Sequence, residues 1–433
     1  MFSTIVNAFK IKEVRKKILI TIALIFIYRL GCHIPVPGVT MFNGISEFSF
    51  LNIMSAVSGG ALQYGTFFAM GIGPYINASI IIQLLTVGIP ALERLSKQGE
   101  EGRKRINVYT RILTLILAII QAIGILVAFS GGENSGVDTS KLFGANGFGK
   151  FASYVFLVIV YTAGAALTMW IGERITDYGV SNGISLLIFV GILSTAGIAI
   201  MNVIKDMTVP ATAATATWTL IGFIAAAIVI FAAIVAVNGA ERKIPVQYAK
   251  QVKGRKMYGG QSTHIPIKVN ASGVMPLIFA YAILSFPDLI LNLLGVGNDT
   301  WWARNMGTGT IPYTIVLCVL ILAFSYFYNM IQFNPDDISK SIQGNGGFIP
   351  GTRPGKPTAD YLKRISNRIT LFGAIFLALM ALVPSLLFKF IGGDSLINVF
   401  SATGLLIVVS CALEFEQALQ SQIMMKNYKG FLK

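Results

Sequence analysis

Charged residues are scarce in this sequence. Asp, Glu, Lys and Arg make up 12% of the 433 residues, whereas an ordinary soluble domain has about 25%. Hydrophobic residues make up 54%, and apolar runs of about 20 residues, the length that an α-helix needs to cross a bilayer, recur along the whole chain. This composition excludes an ordinary soluble protein and predicts an all-α protein that crosses a membrane many times.

Residues that carry enzymatic chemistry are also few. The only two histidines, His33 and His264, have no second ligand at helical spacing, and the three cysteines, Cys32, Cys318 and Cys411, lie in or beside apolar runs. No Gly-rich phosphate loop followed by Lys-Ser or Lys-Thr is present. We therefore predict no metal, no cofactor and no enzymatic activity, so any work would use energy supplied by another protein.

The apolar runs predict ten membrane spans in two sets of five. The stretch 1–17 is short and amphipathic, and the apolar run behind it shows no small-residue cleavage site, so that run is expected to be the first span. Five spans per set would give residues 1–201 and 202–433 inverted orientations, an arrangement that usually places a pathway at the interface. The predicted spans are 18–34, 50–89, 110–130, 151–171, 182–201, 217–237, 271–293, 311–331, 368–391 and 396–415.

The basic residues predict how these spans are oriented. Of the 34 lysines and arginines, 28 fall on the side of the terminal segments and of the loops that follow even-numbered spans, counting Arg111 and Arg368 at the adjoining span ends. Five fall on the opposite side, counting Lys389 near the end of its span, and Arg29 lies inside the first span. Because basic residues are retained on the cytoplasmic side of membranes, both termini are predicted to be cytoplasmic.

The second predicted span is broken. Residues 50–68 are rich in glycine and serine, and Met70–Leu85 begins with two glycines and a proline before polar residues alternate with isoleucines. Each amide or hydroxyl in hydrocarbon needs a partner, which favours a segment that re-enters the membrane and a following helix that lines a pathway. A broken helix bent only for packing is the alternative.

Two long loops, 238–268 and 333–368, are predicted on the side of the termini. The first has two strand-like runs around a glycine turn, which indicates a hairpin, and the second presents Arg353 within a run of turn residues. A basic docking surface for an acidic partner or RNA accounts for both features. Solvated loops whose charge only fixes the topology are the alternative.

An ion-coupled secondary transporter is the second functional hypothesis. Such carriers place ionisable residues at mid-membrane, but the spans contain few of them, Arg29, Asp288 and Glu414. Isoleucine beside small and amide residues occupies the middle of the spans instead. That composition favours an aperture that closes by apolar contact and excludes water.

The chain resembles the SecY family, the channel subunits of the bacterial Sec protein-export translocon, over essentially its full length. Each matching motif is modest alone, but all occur in the family's order on ten predicted spans. The matching stretches are Ile34–Gly38, Gly73–Leu85, Asn182–Ser185, Gln261–Asn270, Val274–Pro276 and Phe348–Lys356.

The resemblance implies a channel of two halves around an hourglass pore in the bacterial cytoplasmic membrane. It would pass unfolded secretory polypeptides and release transmembrane segments sideways into lipid. The partners implied are small subunits like SecE and SecG, the SecA ATPase, the ribosome, whose RNA would meet the basic loops, a preprotein or signal peptide, and lipid.

The resemblance also assigns residues to roles. The pore ring would be Ile76, Ile80, Ile184, Ile188, Ile278 and Ile407. A plug at about 50–66 would contain Asn52, Ile53, Met54, Ser55, Ala56, Val57, Ser58, Gly59, Gly60, Ala61, Leu62 and Gln63. A lateral gate between spans two and three and spans seven and eight would contain Thr86 and Gln121. Motor or ribosome docking would use Lys250, Lys253, Arg255, Lys256, Arg353 and Lys356.

Overall fold

The computed structural model is predominantly helical. It describes residues 2–42, 54, 55, 57–129, 136–138, 142–144, 147–207, 213–248, 251–253, 256–258, 262–270, 272–293, 301–307, 310–391 and 402–431. The helices before the sheet are α1 (Phe2–Lys10), α2 (Lys12–Gly31), α3 (Gly73–Gly88), α4 (Pro90–Ser96), α5 (Glu100–Ala128), α6 (Gly147–Tyr178), α7 (Gly183–Met207) and α8 (Ala213–Gly239). Those that follow are α9 (Met275–Leu293), α10 (Trp301–Asn305), α11 (Ile311–Gln332), α12 (Pro335–Gly344), α13 (Lys356–Ile391) and α14 (Ala402–Phe431).

Six helices within the described residues are long and apolar enough to cross a membrane. They comprise parts of α5, α6, α7, α8 and α13, together with the continuous stretch of α11 and α12. Helices α2, α9 and α14 lie over three further predicted spans, but they are not among the six. In α2 the basic residues Arg15, Lys16, Lys17 and Arg29 reduce the apolar character of the helix.

The second predicted span has a further break at its far end, which the sequence did not predict. Helix α3 ends at Gly88, and α4 begins at Pro90 with its axis turned by 105°. Ile89 between them has an extended backbone, with φ −111° and ψ 113°. Proline disfavours helical backbone in the residue before it, so the chain turns sharply here.

The predicted hairpin in 238–268 is confirmed. Strand β1 (Glu241–Tyr248) pairs antiparallel with β4 (Ser262–Lys268), and β2 (Gln251–Lys253) pairs with β3 (Lys256–Tyr258) between them. Strand β5 (Gly347–Phe348) joins the other edge of β1, which gives a three-stranded sheet in the order β4-β1-β5. The two long predicted loops therefore meet in one sheet.

The prediction that residues 333–368 form a loop is wrong for the last part of this range. Residues 335–344 form α12, and α13 already begins at Lys356, so residues 356–368 are the polar start of a long helix. Apolarity marks the part of a helix that faces hydrocarbon and does not reveal that the helix continues into water. Buried side chains join this region to the sheet, namely Ile244, Val246, Ile267, Ile342, Ile349 and Leu362.

Both termini lie near the sheet. Ala8 and Val14 at the N-terminus share a buried cluster with Val180, which follows α6, and with Leu419 of α14. Two residues before Leu419, the Gln417 side chain accepts a hydrogen bond of 2.9 Å from Lys268 of β4. We call this end of the helix bundle the sheet end.

Candidate functional site

Four helices bring the six predicted ring isoleucines into one apolar cluster. Helices α3 and α7 each supply a pair four residues apart, on one helical face, and α9 and α14 supply one residue each. Ile80, Ile188 and Ile407 are buried, and the remaining three are half-buried and packed against the same cluster. The cluster also contains many ordinary packing residues, so the pore-ring role stays a prediction.

The part of the predicted plug that is described forms a compact turn bonded to itself. Gly60 N–H donates to Ser55 O at 2.8 Å, and Ser58 N–H donates to Met54 O at 2.9 Å. Gly59 and Gly60 have φ of 70° and 83°, values that side chains rarely adopt. We call residues 57–62 the plug turn. Asn52, Ile53 and Ala56 lie outside the described residues.

The plug turn lies against α7, next to the predicted ring. A Cβ on Gly191 would overlap the carbonyl oxygen of Val57, so only glycine allows this approach. Gly191 follows the ring residue Ile188 by three positions on α7. Val57 and Ala61 pack into the same apolar cluster as the isoleucines, whereas Gln63 is exposed. The turn therefore covers one side of the cluster.

Arg29 of α2 reaches the same place. Its Nη2 donates a hydrogen bond to Oγ of Ser194 on α7, one helical turn beyond Gly191. Its Nη1 is buried without a hydrogen-bond partner, and a Cβ on Gly59 would overlap it. The sequence shows Arg29 as a charge inside a predicted span but gives no indication of what it contacts.

The predicted gate residues are not joined to each other by a hydrogen bond. Thr86 donates to Ile82 O on its own helix at 2.7 Å. Gln121 of α5 is buried, and its Oε1 has no partner. Their helices do lie at a boundary between the two parts of the chain, because α5 packs against both α3 and α9, and α9 packs against α11.

A polar pair that sequence analysis missed crosses this boundary. Tyr328 of α11 donates its hydroxyl hydrogen to Oε1 of Gln83 on α3. The Tyr328 ring is buried against Phe279 of α9, with ring centroids 4.9 Å apart. Gln83 lies in a stretch that the sequence marked as unusual for its amides, but no local pattern predicts a partner so distant along the chain.

A second polar network, also missed, connects the sheet to the helices. Asn270, just after β4, donates to Asn238 Oδ1 of α8 at 2.8 Å, and Asn238 donates to Ser410 Oγ of α14 at 3.0 Å. Ser410 lies three residues from Ile407 on α14. The base of the sheet is thereby connected through hydrogen bonds to a helix that carries a predicted ring residue.

Two of the predicted docking residues can be located with their side chains. Arg353 is exposed in the turn before α13, and its backbone carbonyl accepts a hydrogen bond of 2.7 Å from Thr358. Lys356 is exposed at the first position of α13. Lys253 and Lys256 form the last pair of the β2–β3 ladder, while Lys250 and Arg255 lie outside the described residues.

Metal ligands do not cluster in the described part of the chain, where no group of three or more His, Cys, Asp or Glu side chains is placed to hold an ion. Buried apolar contact and a few hydrogen bonds between distant helices characterise the site instead.

Comparison with known proteins identifies the family. A family model described as SecY matches residues 66–416. The chain belongs to the SecY family. Two relatives named protein translocase subunit SecY, from Streptomyces griseus and Mycobacterium bovis, are 42% and 40% identical to it. Both alignments cover 100% of this chain and of the relative.

Solved structures share the fold. The structure of a protein conducting channel aligns with a TM-score of 0.70 at 20% identity, covering 94% of this chain and 92% of that one. Sec61 in a canine ribosome-channel complex aligns with a TM-score of 0.63 at 18% identity and the same coverage. The family and the two translocase relatives confirm the predictions of a SecY-family membrane protein, of a protein-conducting channel and of no enzymatic activity.

Proposed function

We propose that this chain forms the pore of a protein translocase, and that its waist is the set of six isoleucines. The observation that carries the proposal is that four helices, from both parts of the chain, deliver these side chains to one apolar cluster. A narrow apolar constriction can expel water and close to ions. Isoleucine side chains offer no hydrogen bond to a passing peptide, so an unfolded chain would slide through without being held.

The plug turn would cover the waist when no peptide is present. Its backbone is satisfied largely by its own hydrogen bonds, so it could leave α7 without exposing many unpaired groups. One solved relative, with a TM-score of 0.68 at 20% identity, is a SecY protein whose plug domain is described as stabilising the closed state of its channel and maintaining a membrane seal. We extend that role to residues 57–62 of this chain.

The lateral exit to lipid would open where α3 and α5 meet α9 and α11. The packing of α5 against α9 and the hydrogen bond between Tyr328 and Gln83 would both have to separate. Gln121 lies in this seam with an unpaired Oε1, and Thr86 lies one helical turn from Gln83. In this proposal residues 1–201 and 202–433 are the two inverted halves that part.

The sheet end would be the cytoplasmic face, in a bacterial inner membrane. The excess of lysine and arginine on this side supports that orientation. Exposed Arg353 and Lys356, with the basic tip of the hairpin, would dock a SecA-like ATPase or the ribosome, and small SecE-like and SecG-like subunits would complete the complex. Two solved relatives are channels in complex with ribosomes, from dog and yeast.

The proposal is tested with the purified chain and its small subunits in sealed vesicles. We expect uptake of an unfolded preprotein only when the ATPase and ATP are present. Vesicles would also be offered small solutes under an ion gradient. Ion-coupled solute uptake without preprotein uptake would contradict the channel proposal and favour a secondary transporter.

A further inference from the structure

Arg29 has no role in the channel proposed above, yet a guanidinium within a predicted span is costly unless it has partners. Its Nη2 has one, Ser194 Oγ. Its Nη1 is buried and has none. None of the ion pairs formed among the described residues includes Arg29. The guanidinium charge thus lies inside a predicted span with only one hydrogen-bond partner, and apolar packing does not account for that position.

The surroundings of Nη1 are built for close approach. Gly59 faces it, and any side chain at that position would overlap the guanidinium. Gly59 also has a positive φ, which other residues adopt only under strain. The carbonyl oxygen of Val57 packs against Gly191, one helical turn from Ser194. Three separate segments, α2, α7 and the plug turn, thus converge on one side chain.

We infer that Arg29 is a positioning residue that holds the plug turn against α7 in the closed channel. The inference rests on the proposed role of residues 57–62 as a plug. Arginine suits this task because its planar, always-charged group has five donors and can contact two segments at once.

The test is resting ion conductance in lipid bilayers, measured for the wild type, Arg29→Leu, a deletion of residues 57–62, and the two changes combined. We expect Arg29→Leu to leak, because the closed state would lose the Arg29–Ser194 hydrogen bond and the packing of the guanidinium against Gly59. A loss the size of one hydrogen bond to a charged group shifts the closed-to-open equilibrium by about tenfold. The deletion should also leak. The combined variant should leak no more than the deletion, because Arg29 would have nothing left to hold.

Matched variants separate this role from ordinary packing. Ser194→Ala removes the Nη2 partner and should leak less than Arg29→Leu but more than the wild type. Ser325→Ala removes a buried serine that bonds only within its own helix, to Ile321 O at 2.7 Å, and should not leak. Arg29→Lys keeps the charge but replaces the planar guanidinium with a single ammonium group, and it remains informative if Arg29→Leu does not assemble. It should leak to an intermediate extent.

Each contrary result has a distinct meaning. Wild-type conductance in both Arg29 variants, or additive leaks in the combined variant, would overturn the role of Arg29 while leaving the plug intact. Wild-type conductance after deletion of 57–62 would overturn the proposed plug, and with it this inference.

Discussion

The hydroxyl of Tyr328 on α11 donates a hydrogen bond to Oε1 of Gln83 on α3, across 245 positions of sequence. The two helices lie on opposite sides of the seam at which we propose lateral opening. The Tyr328 ring also packs tilted against Phe279 of α9, so the hydroxyl is held towards its partner by the apolar core. This hydrogen bond stabilises the closed seam and would be lost when α3 and α11 separate.

Tyr328→Phe should ease lateral opening. The change removes the hydroxyl and keeps the ring contacts, so the closed seam would lose about 1 kcal/mol, the usual net value of one hydrogen bond. Export of a substrate with a defective signal sequence should therefore rise severalfold. Tyr326→Phe is the matched control, because that hydroxyl contacts Asn367 O at 3.4 Å on an exposed surface. Equal export by both variants would contradict a role of the Tyr328 hydroxyl in keeping the seam closed.

Ile278→Asn and Ile407→Asn should admit water to the waist. If the six isoleucines line an aperture, a polar side chain would hydrate it and favour the open state, so resting conductance and export of a signal-defective substrate should both increase. If they are ordinary core, the buried amide would cost about 1–3 kcal/mol and lower both protein level and export. Ile315→Asn, at an exposed position on α11, should leave conductance unchanged. Reduced export without added conductance would refute the pore ring.

Arg353→Glu and Arg255→Glu should weaken docking of the ATPase or ribosome while the channel stays folded. The Arg353 side chain is exposed, and exposed charges act over only about 8 Å at physiological ionic strength. Docking by the wild type should therefore weaken as salt rises, and the variants should depend less on salt. Lys150→Glu is the control, since it lies at the start of α6, away from the sheet end. Wild-type rates of ATP-driven translocation in both arginine variants would show the docking assignment to be incorrect.

Asn270→Ala should uncouple the sheet from the helices. The change breaks the bond to Asn238 and leaves that half-buried side chain less satisfied, at a cost of about 1 kcal/mol in unfolding free energy. ATP-driven translocation should fall while docking affinity is retained, because the docking residues are untouched. Thermal unfolding and translocation would be measured beside Asn345→Ala, which is exposed at the same end. A loss of docking instead would assign Asn270 to the surface itself.

The class of protein, the hairpin and the apolar middles of the six candidate spans follow from the sequence. Apolar runs report the thickness of a bilayer, so all six candidate spans overlap predicted ones, and the strand-like runs in 238–268 marked the hairpin. The sharp turn at Pro90 was not predicted. Helix ends in water carry no such signal. This is why α13 begins at Lys356 within a stretch predicted to be loop, and why α5 begins at Glu100, ten residues before its predicted span.

Which polar groups meet is a property of the folded helix bundle. Gln83, Arg29 and Asn270 stand out in the sequence as polar residues beside apolar ones. Nothing in the sequence identifies their respective partners, which are Tyr328, Ser194 and Asn238. These contacts join helices that are brought together by packing, and packing is a property of the whole bundle. Gly59 and Gly191 show the same limit: their need for glycine arises because two backbones and a guanidinium share one small space.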